Sequence, residues 1–242
     1  MVMSRAKAEA IAIAVLAKAP TPGFAKTRLA ATLGKDGAAA LQERLTARTV
    51  ATACAANIGP VILWATPDAS HPSFHALAQR HGIVLAAQSD GDLGRRMLSA
   101  IAAAKAPALV VGTDCPALTP RHLRIAAAHL RNGIDAVLIP AEDGGYALIG
   151  MRMPQLALFA GIAWGADTVA AETRRRLARL GLSWREPARL WDVDRPEDLA
   201  RMQTAGFGNL LLASPSIVDA PVIDTIVERL GEAVDAATRG IS

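Results

Sequence analysis

The chain has 242 residues, of which 52% are hydrophobic, and this is enough for one sizeable α/β domain but not for two. Lys and Arg total 26 against 22 Asp and Glu, and this net charge of +4 is spread along the chain. Such a balance argues against a nucleic-acid-binding protein and suits small phosphorylated ligands. Cys54 and Cys115 have neither zinc-site spacing nor the density of a disulfide framework, so a reducing, cytoplasmic location is expected.

The N-terminal segment resembles the start of a signal peptide, because Arg5 and Lys7 precede the apolar run 10–17. This run is short, however, and it leads into a loop of Lys, Pro and Gly rather than a small-residue cleavage site. It therefore predicts a buried first strand. Since no other segment reaches the roughly 20 apolar residues of a membrane span, no membrane partner is expected.

Short apolar runs alternate along the chain with longer, alanine-rich stretches of helical period. Predicted strands cover residues 10–17, 61–66, 83–87, 108–113, 135–140, 146–151 and 190–193. Predicted helices cover residues 36–56, 72–82, 92–104, 120–131 and 166–180, with a further helix beginning at Pro196. This alternation predicts a doubly wound, mostly parallel sheet with helices on both faces.

The C-terminal part of the chain loosens after Ala205, and residues 217–237 then have the apolar period of one amphipathic helix. The sequence therefore predicts a core domain over residues 1–205 and a C-terminal helical appendage over residues 206–242. The apolar face of that helix would pack on the core or on a second subunit, which leaves a homodimer through this helix open.

The loop after the first predicted strand is a candidate phosphate site, because ligands of open parallel sheets bind where strands end. Lys18, Lys26 and Arg28 give the loop positive charge, while Pro22 and Gly23 stiffen it. Backbone N–H groups and cations of this kind can bind a polyphosphate. The loop is not a Walker A motif, and its alternative interpretation is a solvated basic turn.

Acidic residues at two further strand ends are candidate metal ligands. Asp114 follows a buried apolar run, and a Mg²⁺ ion takes one or two carboxylates together with phosphate oxygens. Strand alternation would point Asp192 and Asp194 to the same side, which offers further carboxylates. The alternatives are that Asp114 initiates a turn and that Asp194 caps the helix beginning at Pro196.

Two adjacent glycines, Gly144 and Gly145, follow Asp143 and precede Tyr146. Glycine pairs permit a close approach of backbone to ligand. An Asp-Gly pair is also a signal for a hairpin turn. The local sequence therefore favours neither a ligand-binding loop nor a hairpin turn over the other.

Six strings occur in order across residues 17–199: AKAPTPGFAKTRLAATLG, SDGDLGRRM, GTDCPALT, PAEDGGYALIG, IAW and DVDRPEDL. Together they resemble the glycosyltransferase-A-like family of radical-SAM/selenodomain-associated transferases. They are more distantly similar to 2-phospho-L-lactate guanylyltransferase and molybdenum cofactor guanylyltransferase. The resemblance implies a nucleotide-diphospho-sugar transferase fold, and a nucleoside triphosphate or sugar nucleotide used with Mg²⁺ or Mn²⁺.

The resemblance also implies roles for individual residues. Lys26 and Arg28 match catalytic, phosphate-binding cations, and Asp114 matches the catalytic, metal-binding aspartate. Asp192 and Asp194 match a late metal or substrate position. The nucleotide and phosphate site would further contain Lys18, Pro22, Gly23, Gly94 and Arg96, and the acceptor pocket would contain Asp143, Gly144, Gly145, Tyr146 and Trp164.

The expected function is a metal-dependent transfer from a nucleotide donor to a small acceptor, either nucleotidyl or glycosyl transfer. Arg95 and Gly165 depart from the family pattern beside the matched motifs, and both departures leave the acceptor open. One alternative is a regulatory module that binds nucleotide without turnover. Another is a flavodoxin-like or Rossmann redox protein.

Overall fold

The computed structural model describes residues 9–105 and 107–212. Its strands are β1 (Ala12–Lys18), β2 (Val61–Thr66), β3 (Val84–Ala87), β4 (Ala108–Val111), β5 (Ala136–Pro140), β6 (Tyr146–Met151) and β7 (Trp184–Arg185). Its α-helices are α1 (Ala30–Ala56), α2 (Pro72–His81), α3 (Leu93–Ala103), α4 (Pro120–Arg131), α5 (Leu156–Phe159), α6 (Val169–Arg179) and α7 (Pro196–Thr204). Short 3₁₀ segments cover Thr27–Leu29 and Gly208–Leu210.

The strands form one seven-stranded sheet in the order β3-β2-β1-β4-β6-β5-β7. Strands β1 to β4 pair in parallel, β6 runs antiparallel to both β4 and β5, and β7 is parallel to β5. Consequently β1 to β5 all end at one edge of the sheet, where β6 begins. The predicted doubly wound, mostly parallel sheet is confirmed.

The last predicted strand, at residues 190–193, is wrong. This segment makes one isolated bridge, between Leu190 and Ala141, and the seventh strand is Trp184–Arg185 instead. The alternation that suggested a strand is nevertheless real, since Trp191 and Val193 are buried while Asp192 and Asp194 are partly exposed. An extended segment packed along the sheet edge produces the same pattern as a paired strand.

Most helices begin and end close to their predicted bounds. The Asp92 carboxylate accepts a backbone hydrogen bond at 2.8 Å at the start of α3, and the Thr119 hydroxyl caps α4 in the same way at 3.4 Å. Helix α1 differs, because it begins six residues before the predicted start at residue 36. Gly34, with φ 70° and ψ 167°, breaks its first turn away from the rest, and only glycine adopts this conformation without strain.

Two apolar clusters cover the faces of the sheet. Helices α1, α2 and α4 pack on one face, where Val50, Phe74 and Leu123 are buried against the strands. Helices α3, α5 and α6 pack on the other face through side chains such as Ile101 and Phe159. Because β4 and β5 are buried on both faces, their sequences are continuously apolar.

A third apolar cluster lies beside the sheet edge, where Leu41 of α1 packs with Trp191, Val193 and Leu199. Residues beyond 205 contribute to it, since Phe207, Leu210 and Leu211 pack against these side chains. The predicted helix over 217–237 and the homodimer through it lie outside the described residues. The domain boundary at residue 205 stays a prediction. No helix in the described part of the chain is long and apolar enough to cross a membrane.

Candidate active site

A cleft of about 580 Å³ opens at the edge of the sheet where β1 to β5 end. Most of the predicted site residues line it together, namely Lys18, Lys26, Arg28, Arg96, Asp114, Asp143, Gly145, Tyr146, Trp164, Asp192 and Asp194. The predicted residues that do not line it are Pro22, Gly23, Gly94 and Gly144. Sequence motifs separated by more than 150 residues therefore meet in one place.

Lys26 lies at the base of the cleft with its ammonium group held by protein oxygens. Its Nζ is 2.5 Å from Asp114 Oδ1 and donates to the backbone oxygen of Val193 at 2.5 Å. Only 3% of the Lys26 side chain is exposed. The backbone at Lys26 is left-handed, with φ 49°, which is uncommon for a residue other than glycine. Lys26 thus joins the loop after β1 to two of the segments that carry cleft aspartates, the one with Asp114 and the one with Val193.

Asp114 is held from the backbone as well. The Val193 N–H donates to the backbone oxygen of Asp114 at 2.9 Å, and Gln42 Nε2 donates to the neighbouring Thr113 hydroxyl at 2.9 Å. About half of the Asp114 side chain is exposed, at 49%. The carboxylate therefore has a defined position while one side of it faces the cleft.

Asp194 forms an ion pair with Arg28 at the rim of the cleft. The alternative that Asp194 caps α7 is wrong, because the residue at the N-cap position is Arg195. The Asp198 carboxylate, in the first turn of α7, accepts hydrogen bonds from the backbone N–H groups of Asp194 and Arg195 at 3.0 and 2.7 Å. The Asp194 side chain is therefore free of capping and is used instead to neutralise a cation.

Asp143 belongs to the hairpin turn that joins the antiparallel strands β5 and β6, so the turn interpretation is confirmed. Its Oδ1 accepts from the Gly145 N–H at 2.8 Å. Gly144 has φ 92°, and a Cβ there would lie 1.9 Å from the backbone oxygen of Asp167. Gly144 thus permits close packing of the turn on a neighbouring loop, while Asp143 lines the cleft.

The cleft carboxylates repel one another. Burial, together with the nearby charges of Asp143 and Asp114, raises the pKa of Asp192 to about 6. Burial, with smaller contributions from Asp114 and Asp192, also raises the pKa of the Cys115 thiol well above its ordinary value. Carboxylates are therefore concentrated around Asp192 on this side of the cleft.

This concentration of carboxylate oxygen fits a hard divalent cation such as Mg²⁺ or Mn²⁺. Among residues 9–105 and 107–212, no group of three or more His, Cys, Asp or Glu side chains is arranged to hold a metal ion. A cation here would be bound by one or two of the aspartates, with phosphate oxygens and water as its other ligands.

The opposite side of the cleft is basic and more open. Lys18 is exposed, with its Nζ 4.1 Å from the centre of the Phe24 ring. On α3, Arg96 Nε donates to the Gly91 backbone oxygen at 3.1 Å, and the guanidinium reaches towards the Thr66 hydroxyl. These cations give this side of the cleft positive charge that is open to solvent.

Two polar residues of this side, Thr66 and Gln88, are missing from the sequence prediction. Thr66 ends β2, and Gln88 follows β3 with its Nε2 donating to the backbone oxygen of Trp64 at 2.9 Å. Both line the cleft. Like Lys18, which is the last residue of β1, they lie at strand ends, so the same rule applied to every strand end would have found them.

Aromatic side chains form the remaining wall. Tyr146 and Trp164 meet edge to face with ring centres 6.4 Å apart, and Trp164 also stacks on Phe159 at 6.5 Å. A Cβ at Gly94 would lie 2.5 Å from Cζ2 of Trp164, so Gly94 makes room for this ring. Burial raises the pKa of Tyr146 above its ordinary value, so its hydroxyl stays neutral.

Comparison with known proteins gives a partial family match. Residues 49–166 match a family described as uncharacterized proteins conserved in bacteria, DUF2064. This range contains the motifs of Asp114, Asp143 and Trp164, and it does not include those of Lys26 or Asp192. No curated protein matches the chain.

Solved structures extend the likeness over most of the chain. A candidate nucleotide-diphospho-sugar transferase from Desulfovibrio desulfuricans G20 is 26% identical, with a TM-score of 0.75 over 90% of this chain and 97% of that one. A cytidylyltransferase from Leptospira borgpetersenii serovar Hardjo-bovis is 14% identical, with a TM-score of 0.55 over 91% and 95% of the two chains. The Mycobacterium tuberculosis H37Rv protein Rv0371C, in complex with manganese, is 15% identical, with a TM-score of 0.50 over 81% and 98%.

The similarities to the Leptospira and Mycobacterium proteins concern the fold only, because the sequence identities are 14% and 15%. Together the three structures confirm the predicted fold class: the chain has the glycosyltransferase-A-like fold of nucleotide-diphospho-sugar transferases.

Proposed function

We propose that the chain is a metal-dependent transferase that uses a nucleoside triphosphate or sugar nucleotide as donor and transfers a nucleotidyl or glycosyl group to a small acceptor. The observation that carries the proposal is the cleft itself, in which Asp114, Asp143 and Asp192 face Lys18 and Arg96 at the ends of parallel strands. Clustered carboxylates opposite cations suit a metal–polyphosphate ligand better than either charge on its own.

The similar structures support this reading. The Desulfovibrio protein is a candidate nucleotide-diphospho-sugar transferase, and the Leptospira protein is a cytidylyltransferase. The Mycobacterium protein of the same fold is in complex with manganese. Both transfer types are therefore represented around this fold, and the donor class is common to them.

The aspartates of the cleft are the proposed ligands of the metal, with Asp114 and Asp192 as its principal carboxylates. When bound, the metal would neutralise charge on the donor phosphates and on the leaving group. Lys18 and Arg96 would contact phosphate oxygens directly, since their charged groups are exposed or half-exposed to the cleft. Each contact placed where charge develops lowers the barrier electrostatically.

Lys26 and Arg28 are the proposed catalytic cations, and each is already bound to an aspartate. A phosphate that binds to Lys26 and Arg28 would therefore share these cations with Asp114 and Asp194. The acceptor would bind towards Tyr146 and Trp164, whose rings form an uncharged wall beside Asp143.

A thermal-shift screen of nucleoside triphosphates and sugar nucleotides, each with Mn²⁺, Mg²⁺ or chelator, tests the proposal, because a ligand of the folded state raises the melting temperature. The stabilising donors are then incubated with the protein and metal. We expect metal-dependent release of pyrophosphate or nucleoside diphosphate. Tight binding without any release would instead indicate the regulatory module, and a chromophore bound to the purified protein would indicate the redox alternative.

A further inference from the structure

Four side chains outside the cleft form a continuous row, which we call the arginine–aromatic stack: Arg201, Trp191, Phe207 and Arg48. Arg201 Cζ lies 4.7 Å from the centre of the Trp191 ring. The Trp191 and Phe207 ring centres are 6.0 Å apart, and Arg48 Cζ lies 4.8 Å from the centre of the Phe207 ring. Each neighbouring pair is a favourable aromatic or cation–π contact.

Both ends of the stack are hydrogen-bonded to segments that carry a cleft aspartate. Arg201 donates from Nη1 and Nη2 to the Glu142 carboxylate at 2.6 and 2.9 Å, next to Asp143. At the other end, Arg48 Nε donates to the backbone oxygen of Pro116 at 2.7 Å. Pro116 lies two residues after Asp114.

The middle of the stack reaches the third aspartate, because Trp191 directly precedes Asp192. Trp191 is 8% exposed, whereas the Arg201 side chain that covers its ring is 44% exposed. The segments bearing Asp114, Asp143 and Asp192 are far apart in sequence and follow different elements of the fold. The stack connects all three from behind the cleft.

We infer that the arginine–aromatic stack sets the spacing of Asp114, Asp143 and Asp192, and that Arg201 and Phe207 are positioning residues of the metal site. The consequence for metal binding rests on the proposed function, while the mechanical link between the three segments does not. Carboxylates that share a metal ion must be held at a defined spacing, and residues behind a metal site commonly supply that support.

Hydrogen–deuterium exchange tests the mechanical link in the full chain. We expect Arg201→Gln and Phe207→Leu to speed exchange in three segments at once: 113–116, 141–145 and 190–195. The matched control is Arg174→Gln, because Arg174 makes the same forked contact with Glu186, at 2.7 and 2.8 Å, and neither residue lines the cleft. This control should leave all three segments unchanged.

Calorimetric titration with Mn²⁺ and no nucleotide tests the positioning role. We expect Arg201→Gln and Phe207→Leu to weaken Mn²⁺ binding on the order of 10-fold, as residues behind a metal site commonly do. Phe207→Tyr keeps the ring and should restore wild-type affinity. Arg201→Lys keeps the charge but not the fork, so it should restore affinity only in part.

The outcomes separate the two claims. Exchange in the three segments that is equal for Arg201→Gln and Arg174→Gln would overturn the stack as a link. Faster exchange with unchanged Mn²⁺ affinity would overturn its positioning role. Failure of the wild-type protein to bind Mn²⁺ both without and with nucleotide would instead count against the proposed function, while the exchange result would still decide whether the stack connects the segments.

Discussion

Lys18, the last residue of β1, and Lys26, in the loop that follows, differ sharply in what surrounds them. The Lys26 side chain is 3% exposed, and its ammonium is bound to Asp114 and to the Val193 backbone. Lys18 is exposed and rests against the Phe24 ring. The predicted phosphate-binding motif therefore contains two different kinds of cation. Lys26 holds segments of the protein together, whereas Lys18 is open to a ligand.

The same contrast divides the cleft as a whole. Its acidic side is held by Lys26, by the backbone bond between Val193 and Asp114, and by the arginine–aromatic stack. On its basic side, Lys18 is exposed and Arg96 is half-exposed. Substitutions on the acidic side should therefore affect stability and metal binding together, whereas those on the basic side should affect ligand affinity alone.

The largest effect is expected from Lys26→Ala. Removing the ammonium leaves the Val193 carbonyl without its donor and Asp114 without its partner, which should lower the free energy of unfolding by about 2 kcal/mol. Mn²⁺ affinity should fall on the order of 10-fold or more, because Asp114 loses its position. Lys26→Arg should also be impaired, because a guanidinium fork does not fit a site built for a point charge. The impairment should be smaller than for Lys26→Ala, because the positive charge is kept. Urea unfolding and calorimetry measure both quantities.

Lys35→Ala is the control for this substitution, because Lys35 is an exposed cation nearby that does not line the cleft. Its effect on stability should stay within about 0.5 kcal/mol. Equal, small effects at Lys26 and Lys35 would contradict the organising role of Lys26.

The acidic side should also bind metal in a pH-dependent manner. Because the pKa of Asp192 is raised to about 6, Mn²⁺ affinity should fall as pH drops below that value, approaching about 10-fold per pH unit. Asp192→Asn should bind Mn²⁺ more weakly and lose this dependence. A flat wild-type affinity between about pH 5 and about pH 7 would show that Asp192 is not a ligand.

The same raised pKa affects stability with the opposite sign. Between the unfolded pKa of 3.8 and the folded pKa of about 6, the folded protein holds a proton that the unfolded chain releases. The contribution of Asp192 to the free energy of unfolding should therefore decrease as pH rises through this window. Asp192→Asn should remove that part of the pH dependence in metal-free urea titrations.

On the basic side, Lys18→Ala should weaken nucleotide binding about 5-fold, the loss of one exposed contact to phosphate. Stability should change by less than about 0.5 kcal/mol, because Lys18 makes no buried bond. Calorimetry with the nucleotide found by the thermal-shift screen measures the first quantity. Unchanged affinity would mean that this side does not meet the phosphates.

The smallest effect is expected from removing residues 213–242. The sequence predicts that all of 206–242 is dispensable for nucleotide binding, but Phe207 belongs to the stack, and Leu210 accepts a hydrogen bond from Arg44 at 2.7 Å. Truncation after Leu212 should therefore change Mn²⁺ and nucleotide affinity by less than about 2-fold, whereas truncation after Ala205 should act like Phe207→Leu. Equal affinities for the two truncated proteins would contradict the role of Phe207.

The sequence predicts the fold and much of the cleft because both follow from local patterns. Strand periods locate β1 to β6, and the rule that ligands bind at strand ends selects Lys18, Asp114 and Asp143. The stack has no such pattern, since Arg48 lies far along the chain from Trp191, Arg201 and Phe207. For the same reason the sequence could not distinguish Lys18 from Lys26, because the burial of Lys26 depends on its contact with Val193, 167 residues away.

The central claim is that the cleft binds a nucleotide through a metal held by Asp114. Its most direct test is the nucleotide affinity of the wild-type protein and of Asp114→Asn, each measured by calorimetry with and without Mn²⁺. We expect Mn²⁺ to tighten nucleotide binding on the order of 10-fold in the wild-type protein and to have little effect in Asp114→Asn, which keeps the shape but loses the charge. Tightening by Mn²⁺ that is the same in both proteins, or absent in both, would contradict the account.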